Sequence, residues 1–455
     1  MTAPTPADEG IRRRAEGLAA AYLASPANVG LVVGVLAGGR RHVFGFGRVS
    51  RDSDRPPDDR TVYEIGSVTK VFNAALLADM AGRGEVRLDQ PVADLLPPGV
   101  RMPAFRGRPV ALVHLAEHTS GLPRLPGNIW ATVTDEKNPY RGFEVRHLHE
   151  YLNGAALAFP PGSGVAYSNL GAGLLGHALS LRAGQGYEEL LVERVLRPLG
   201  LTDTAITLSA DQAARLAPGH DEKGDPTPNW DTPSLAGAGA LRSSVGEMLT
   251  FLAANLDPAD TPLRDALEFC QAPRPVAWWR RVPVGALHAL GLAGLSLLAQ
   301  WAVPVPPGSW RFLLAFLAPV LAALGWKGFW AGVVAGAAVW LGSLLLWGPA
   351  FGWQPAGVTL VPVLTIAGLW GGYLPPPGRA YPGWHGHAAA GRPVLWHNGG
   401  TGGYSSFVGL ARDVGVAVAV LSNSANRVDA VGFGLLNHLC AAAPGSGVGP
   451  KDVSR

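Results

Sequence analysis

Ser67 and Lys70 stand three residues apart in Ser67-Val-Thr-Lys70, in a chain of 455 residues with only five lysines. Residues at i and i+3 share one face of a helix. A serine hydroxyl is a weak nucleophile until a base takes its proton, and a desolvated lysine amine can be that base. A helix start also turns backbone N–H groups toward a developing oxyanion. The pair reads as a nucleophile with its base, against the plain alternative of a capping serine and a surface lysine. A second cluster, Tyr167-Ser-Asn169, follows Pro160-Pro161-Gly162. Tyrosine relays a proton when a cation lowers its pKa, and asparagine grips an amide or ester carbonyl. A third cluster, His397-Asn-Gly399-Gly400, leads through Thr401-Gly-Gly-Tyr404 toward an apolar run. Small residues there let a substrate lie along a strand edge, within reach of backbone N–H groups.

One competing pattern is His114-Leu-Ala-Glu117-His118, which spells the H-x-x-E-H of some zinc peptidases. On a helix both histidines would share a face, with Glu117 as base. No clear third ligand follows, so neither a metal nor another cofactor is expected. Cys270 and Cys440 have no metal or redox spacing and read as buried thiols.

Elements must bring these clusters together. Gly30 to Val49 reads as two strands joined at Gly38-Gly39. Val68, Val71, Phe72, Leu76 and Met80 recur at helical spacing directly after Ser67. Residues 143–157 and 171–181 also read as helices, 407–410 and 416–421 as strands with a turn at 413–415, and 431–440 as a closing helix. Strands at both ends and helices between them predict an α+β fold with one sheet built from both termini.

Together the clusters resemble the serine β-lactamase-like superfamily: class C β-lactamases, DD-peptidases and related esterases and D-aminopeptidases. Further stretches look like text of that family in the same order: YEIGSVTK at Tyr63 to Lys70, HTSGLP at His118 to Pro123, PGSGVAYSN at Pro161 to Asn169, GALRSSVGEM at Gly239 to Met248, and HNGGTGGYSS at His397 to Ser406. The resemblance implies an antiparallel sheet flanked by helices, with a helical subdomain. It implies that Ser67 is acylated, that Lys70 and Tyr167 share proton transfer, and that Asn169 holds the acyl side chain. His397 stands where β-lactamases carry the lysine of Lys-Thr-Gly, a lysine that favours a substrate carboxylate; histidine is only partly charged near neutrality. Gly399 and Gly400 follow it, and the N–H groups of Ser67 and Gly400 would form the oxyanion hole. The implied function is hydrolysis of a small-molecule or peptide ester or amide through acyl-Ser67. The alternatives are an outward-facing DD-peptidase or β-lactamase, and a penicillin-recognising sensor without efficient turnover.

Charge is unevenly spread. Charged residues make up 16% of the chain, yet the 97 residues from Val282 to Gly378 carry only Arg311 and Lys327. Of four apolar runs, those at 284–303, 328–347 and 353–373 reach the length of a spanning helix, and that at 311–326, with about 16 residues and Pro319, is shorter; tryptophans lie near their ends. These predict an inserted bundle of about four transmembrane helices over 282–375. It would interrupt a discontinuous hydrolase domain at 1–274 and 381–445, with a loose tail at 446–455. Ser67 and His397 share a site only if the number of spans is even. Arg274, Arg280, Arg281, Arg379 and Lys327 lie on the catalytic side and Arg311 on the other, which places that domain in the cytoplasm. Residues 1–14 show no apolar export signal, in agreement. The expected location is the cell membrane, multi-pass, with the lipid bilayer as partner. The net charge of +3 comes without a basic stripe, so no nucleic acid is expected. The sequence leaves the oligomeric state open.

Overall fold

The computed structural model describes residues 5–276 and 379–443. In chain order its main elements are helix α1 (Pro6–Leu23), strands β1 (Gly30–Ala37), β2 (Arg40–Gly47) and β3 (Val62–Glu64), and helices α2 (Thr69–Gly82) and α3 (Asn169–Ala183). Strand β4 (Arg242–Ser244), helix α4 (Val245–Leu256), strands β5 (His385–Ala389), β6 (Arg392–Gly400), β7 (Ser405–Ala411) and β8 (Val416–Ser422), and helix α5 (Asp429–Ala442) complete the set.

Six strands form one antiparallel sheet in the order β2-β1-β8-β7-β6-β5. The chain's two ends meet inside it, with Leu31 opposite Ser422 and Leu36 opposite Ala417. The expected hairpin is present. Gly38 and Gly39 both take positive φ, 56° and 72°, as a tight turn between right-twisted strands requires. Strands β7 and β8 are buried along their whole length, because helices cover both faces of the sheet. Alternation sorts their side chains. Leu31, Val33, Phe407, Val418 and Val420 pack with Ile11, Ala15 and Ala19 of α1 and Leu435 and Leu436 of α5. Val32, Val408, Ala419 and Leu421 face α2 and α4, packing with Phe72, Leu76, Met248 and Phe251.

The antiparallel sheet flanked by helices agrees with the α+β expectation. Helix α1 was not anticipated. Its buried stripe is narrow and small, Ile11, Ala15 and Ala19, and a capping box of Thr5 and Asp8 starts it. The helix expected at 143–157 is shorter, Val145–Gly154. Tyr381 to Trp384 is a turn that leads into β5.

The described residues 5–275 and 379–443 belong to one compact unit. A short antiparallel ladder, Arg274 opposite Ala380, brings together the ends of the stretch between them. The four expected spans at 282–375, and the tail at 446–455, lie outside the described residues. The expected location, a multi-pass membrane protein with a cytoplasmic catalytic domain, is corrected: among the described residues no helix is long and apolar enough to cross a membrane. The longest of these, α1, carries Asp8, Glu9, Arg12, Arg13, Arg14 and Glu16, charges that a hydrocarbon core opposes.

Candidate active site

Ser67 sits in a 3-10 turn, Gly66–Val68, that runs straight into α2. Strand β6 passes close by. A Cβ on Gly66 would lie 2.8 Å from the Gly400 amide nitrogen, and one on Gly399 would overlap the Ile65 carbonyl oxygen. Glycine at 66, where φ is 49°, and at 399 thus lets strand and turn meet backbone to backbone. The Ser406 hydroxyl donates to that Ile65 carbonyl at 2.8 Å and ties β7 to the same turn.

Lys70 lies one turn into the site and is buried, 3% exposed. Its Nζ donates to Ser67 Oγ at 2.9 Å and to the Ala238 carbonyl at 2.6 Å. Burial, with Arg124 adding repulsion, holds the Lys70 amine well below the usual lysine range. Asn73, one turn on, donates to the carbonyls of Ala172 and Gly237. It thereby holds α3 and the segment that presents the Ala238 carbonyl in register with α2.

Tyr167 lies just before α3, whose start is capped by the Ser168 hydroxyl accepting from Gly171 N–H at 2.8 Å. Lys70 Nζ stands 4.7 Å from the centre of the Tyr167 ring. Burial raises the Tyr167 hydroxyl to about 12, opposed by its hydrogen bond to Ser67 and by Arg124. Asn169 follows at the first helical position. Its Oδ1 is buried without a partner among the described residues.

His397 is 1% exposed. Its Nδ1 lies 2.6 Å from the Asn398 carbonyl, which only accepts, so Nδ1 carries the proton. Burial first, then repulsion from His385 and Lys70, keeps its pKa well below the usual histidine value. A neutral ring with Nδ1–H leaves Nε2 as an acceptor, and that atom is buried and unpartnered.

Ser67, Lys70, Tyr167, Asn169, His397, Gly399 and Gly400 therefore gather in one place. Three further side chains join them. The His118 ring packs at 4.5 Å on Tyr167, and His385 lies 4.7 Å from His397 and 6.1 Å from Tyr167. The Arg124 guanidinium stands 5.3 Å from the Tyr167 ring centre. Burial holds His385 at about 4 and His118 well below its usual value. His118 could be noticed in the sequence, as the start of HTSGLP and the end of H-x-x-E-H. His385 and Arg124 carry no local signal.

The structure also takes the H-x-x-E-H pattern apart. His114 caps the N-terminus of its helix, with Nδ1 accepting from Ala111 N–H at 3.0 Å. His118 adopts a left-handed conformation, φ 57°, and its Nδ1 accepts from Ser168 N–H at 3.2 Å. Glu117 pairs with Arg274 at 2.6 Å, and burial raises its carboxyl to about 7. The three groups thus serve different neighbours. Both cysteines are buried free thiols.

Comparison with known proteins agrees with this geometry. The Beta-lactamase family model matches residues 15–441. The D-alanyl-D-alanine-carboxypeptidase/endopeptidase AmpH of Escherichia coli strain K12 is 35% identical over 225 residues, 49% of this chain and 56% of the relative. A β-lactamase of Pseudomonas fluorescens is 30% identical over 52% of this chain and 63% of its own length. The chain thus spans somewhat over half the length of the curated relatives it matches. Among solved structures, a β-lactamase/D-alanine carboxypeptidase from Yersinia pestis superposes with TM-score 0.61 at 20% identity, over 95% of this chain and 97% of that one. A class C β-lactamase from Rhodobacter sphaeroides gives 0.62 at 22% identity, over 94% and 99%. These two establish likeness of fold. With the family model covering nearly its whole length, the chain belongs to the Beta-lactamase family of serine hydrolases.

Proposed function

We propose that this protein hydrolyses an ester or amide through an acyl-Ser67 intermediate. One observation carries the reading: a buried lysine amine lies 2.9 Å from Ser67 Oγ, with a half-buried tyrosine ring against it. The two environments push the pKa values apart, the amine down and the phenol up. Such a split assigns base and acid. The neutral Lys70 amine takes the Oγ proton as Oγ attacks the carbonyl carbon. The oxyanion that forms is held by the N–H groups of Ser67 and Gly400. Tyr167 gives its proton to the departing oxygen or nitrogen and regains one from the Lys70 ammonium, which leaves both groups as they began. Water then attacks the acyl-enzyme by the reverse path and frees Ser67.

Asn169 and His397 flank the acyl carbon in this scheme. The relative named a D-alanyl-D-alanine carboxypeptidase/endopeptidase makes D-alanyl-D-alanine peptides the first amides to test. The relative named a β-lactamase supports a second reading, turnover of a β-lactam ring by the same serine. A fluorophosphonate probe should label the protein, and Ser67→Ala should abolish labelling; labelling that survives the substitution removes the mechanism. Hydrolysis of a chromogenic cephalosporin separates the two substrate classes. Stoichiometric labelling without turnover would mark a binding protein.

A further inference from the structure

Arg124 is an exposed cation at the mouth of the site. Its backbone is fixed by the element that carries the chemistry: the Arg124 carbonyl accepts from Asn169 N–H at 2.9 Å and Leu170 N–H at 3.1 Å. The side chain reaches back over the Tyr167 ring, with the guanidinium carbon 5.3 Å from the ring centre. Lys70 Nζ touches the same ring. No acidic side chain pairs with Arg124 among the described residues. Two buried acids of the same domain pair with other arginines, Glu64 with Arg242 and Glu117 with Arg274. The other titratable groups around Tyr167 are neutral or cationic: His118, His385, His397, Lys70, Tyr140 and Arg427, of which Arg427 already pairs with Asp429 at 3.9 Å.

His397 sharpens the contrast. Its Nδ1 proton is committed to the Asn398 carbonyl, so it presents a lone pair toward the site rather than a cation. A substrate carboxylate finds no partner there. A guanidinium, by contrast, offers paired N–H donors matched to a carboxylate. Its face already rests on an aromatic ring, which orders the side chain before an anion arrives.

We propose that Arg124 is a specificity-determining residue that binds a carboxylate on the acyl portion of the substrate. This rests on the acyl-Ser67 reading above. The acyl side follows from the anchor: Arg124 is hydrogen-bonded to the backbone of Asn169, the residue that flanks the acyl group in that scheme. The substrate class is an acylated amino acid or peptide, as ester or amide, whose acyl part ends in a free carboxylate.

The test compares p-nitrophenyl esters of N-succinylglycine and N-glutarylglycine with the same compounds capped as terminal methyl esters. A charge-assisted hydrogen bond predicts that kcat/KM of the better free acid exceeds that of its capped partner by about 10- to 100-fold, chiefly through KM. The excess should shrink as salt is raised, because the cation is exposed. Arg124→Gln should bring the ratio close to one, and Arg124→Lys should restore part of it. A merely structural role for Arg124 would change both esters together and leave the ratio as it was. A wild-type ratio at or below one, or a ratio that survives Arg124→Gln, overturns the proposal. If both esters are turned over at equal rates and Ser67→Ala stops them, only the carboxylate inference fails. If no Ser67-dependent turnover is found, the acyl-Ser67 reading falls and takes this proposal with it.

Discussion

Replacing Lys70 by methionine separates the energetic cost of the base from its chemical use. Methionine has similar length and no charge. In the folded protein burial holds the Lys70 amine well below its ordinary value of 10.5; in the unfolded chain it returns to that value. Between the two, the unfolded state binds one proton more than the folded state. Stability therefore rises with pH in this window, by 2.303RT or about 1.4 kcal/mol per pH unit. The sign is that of a depressed base: the folded state is penalised below the unfolded pKa, and the penalty fades as pH approaches 10.5. The Lys70→Met variant lacks this contribution. It also leaves the Ala238 carbonyl, now 2.6 Å from Nζ, without its donor. That cost, about 1–3 kcal/mol, does not vary with pH. The offset between the two proteins thus mixes two effects, but its pH dependence isolates one. Urea unfolding at pH 8 and pH 9, at constant ionic strength, should show the wild type gaining about 1.4 kcal/mol on the variant. Parallel stability curves would mean that the folded amine keeps its proton, and Lys70 would then not be the base. Acylation of the variant by a fluorophosphonate should fall by about 100- to 10,000-fold.

Tyr167→Phe removes the hydroxyl that bonds Ser67 and should lower turnover by about 100- to 10,000-fold, measured on any substrate found for the wild type, with little change in the urea midpoint. Gly399→Ala places a methyl against the Ile65 carbonyl and the Ser406 hydroxyl. Overpacking there should cost about 1–3 kcal/mol, and a shift of the Ser67 turn by about 1 Å should slow acylation about 100-fold; an unaltered acylation rate would show that the contact does not position Ser67. Arg242→Met strands Glu64, which is 4% exposed and accepts from Arg242 at 3.2 Å as well as from Asn229 and Trp230. Chemical denaturation should register a loss of about 3–5 kcal/mol.

Much of the site was legible because its parts are local. The three-residue step from Ser67 to Lys70 lies across a helix start and needs nothing distant to share a face. The Gly38-Gly39 turn and the short apolar runs of β7 and β8 likewise follow from neighbours in sequence. Helix α1 escaped because its buried face is two alanines and an isoleucine among charges, too weak a stripe to stand out. The H-x-x-E-H pattern pointed to a metal pair that the backbone does not form. At His118 the chain turns left-handed, and that single φ sends the ring to Tyr167 instead of toward His114.

By itself, then, the sequence singled out the proposed nucleophile, its proposed base, the tyrosine and the glycine-lined strand, since residue type and short spacing suffice to suggest an acyl-transfer set. Tertiary structure alone decided how those groups are charged and what surrounds them. The Ala238 carbonyl, Arg124, His118 and His385 reach Tyr167 or Lys70 from distant parts of the chain. Desolvation, which lowers the pKa values of Lys70 and His397, depends on what packs around a group and not on what precedes it in the chain.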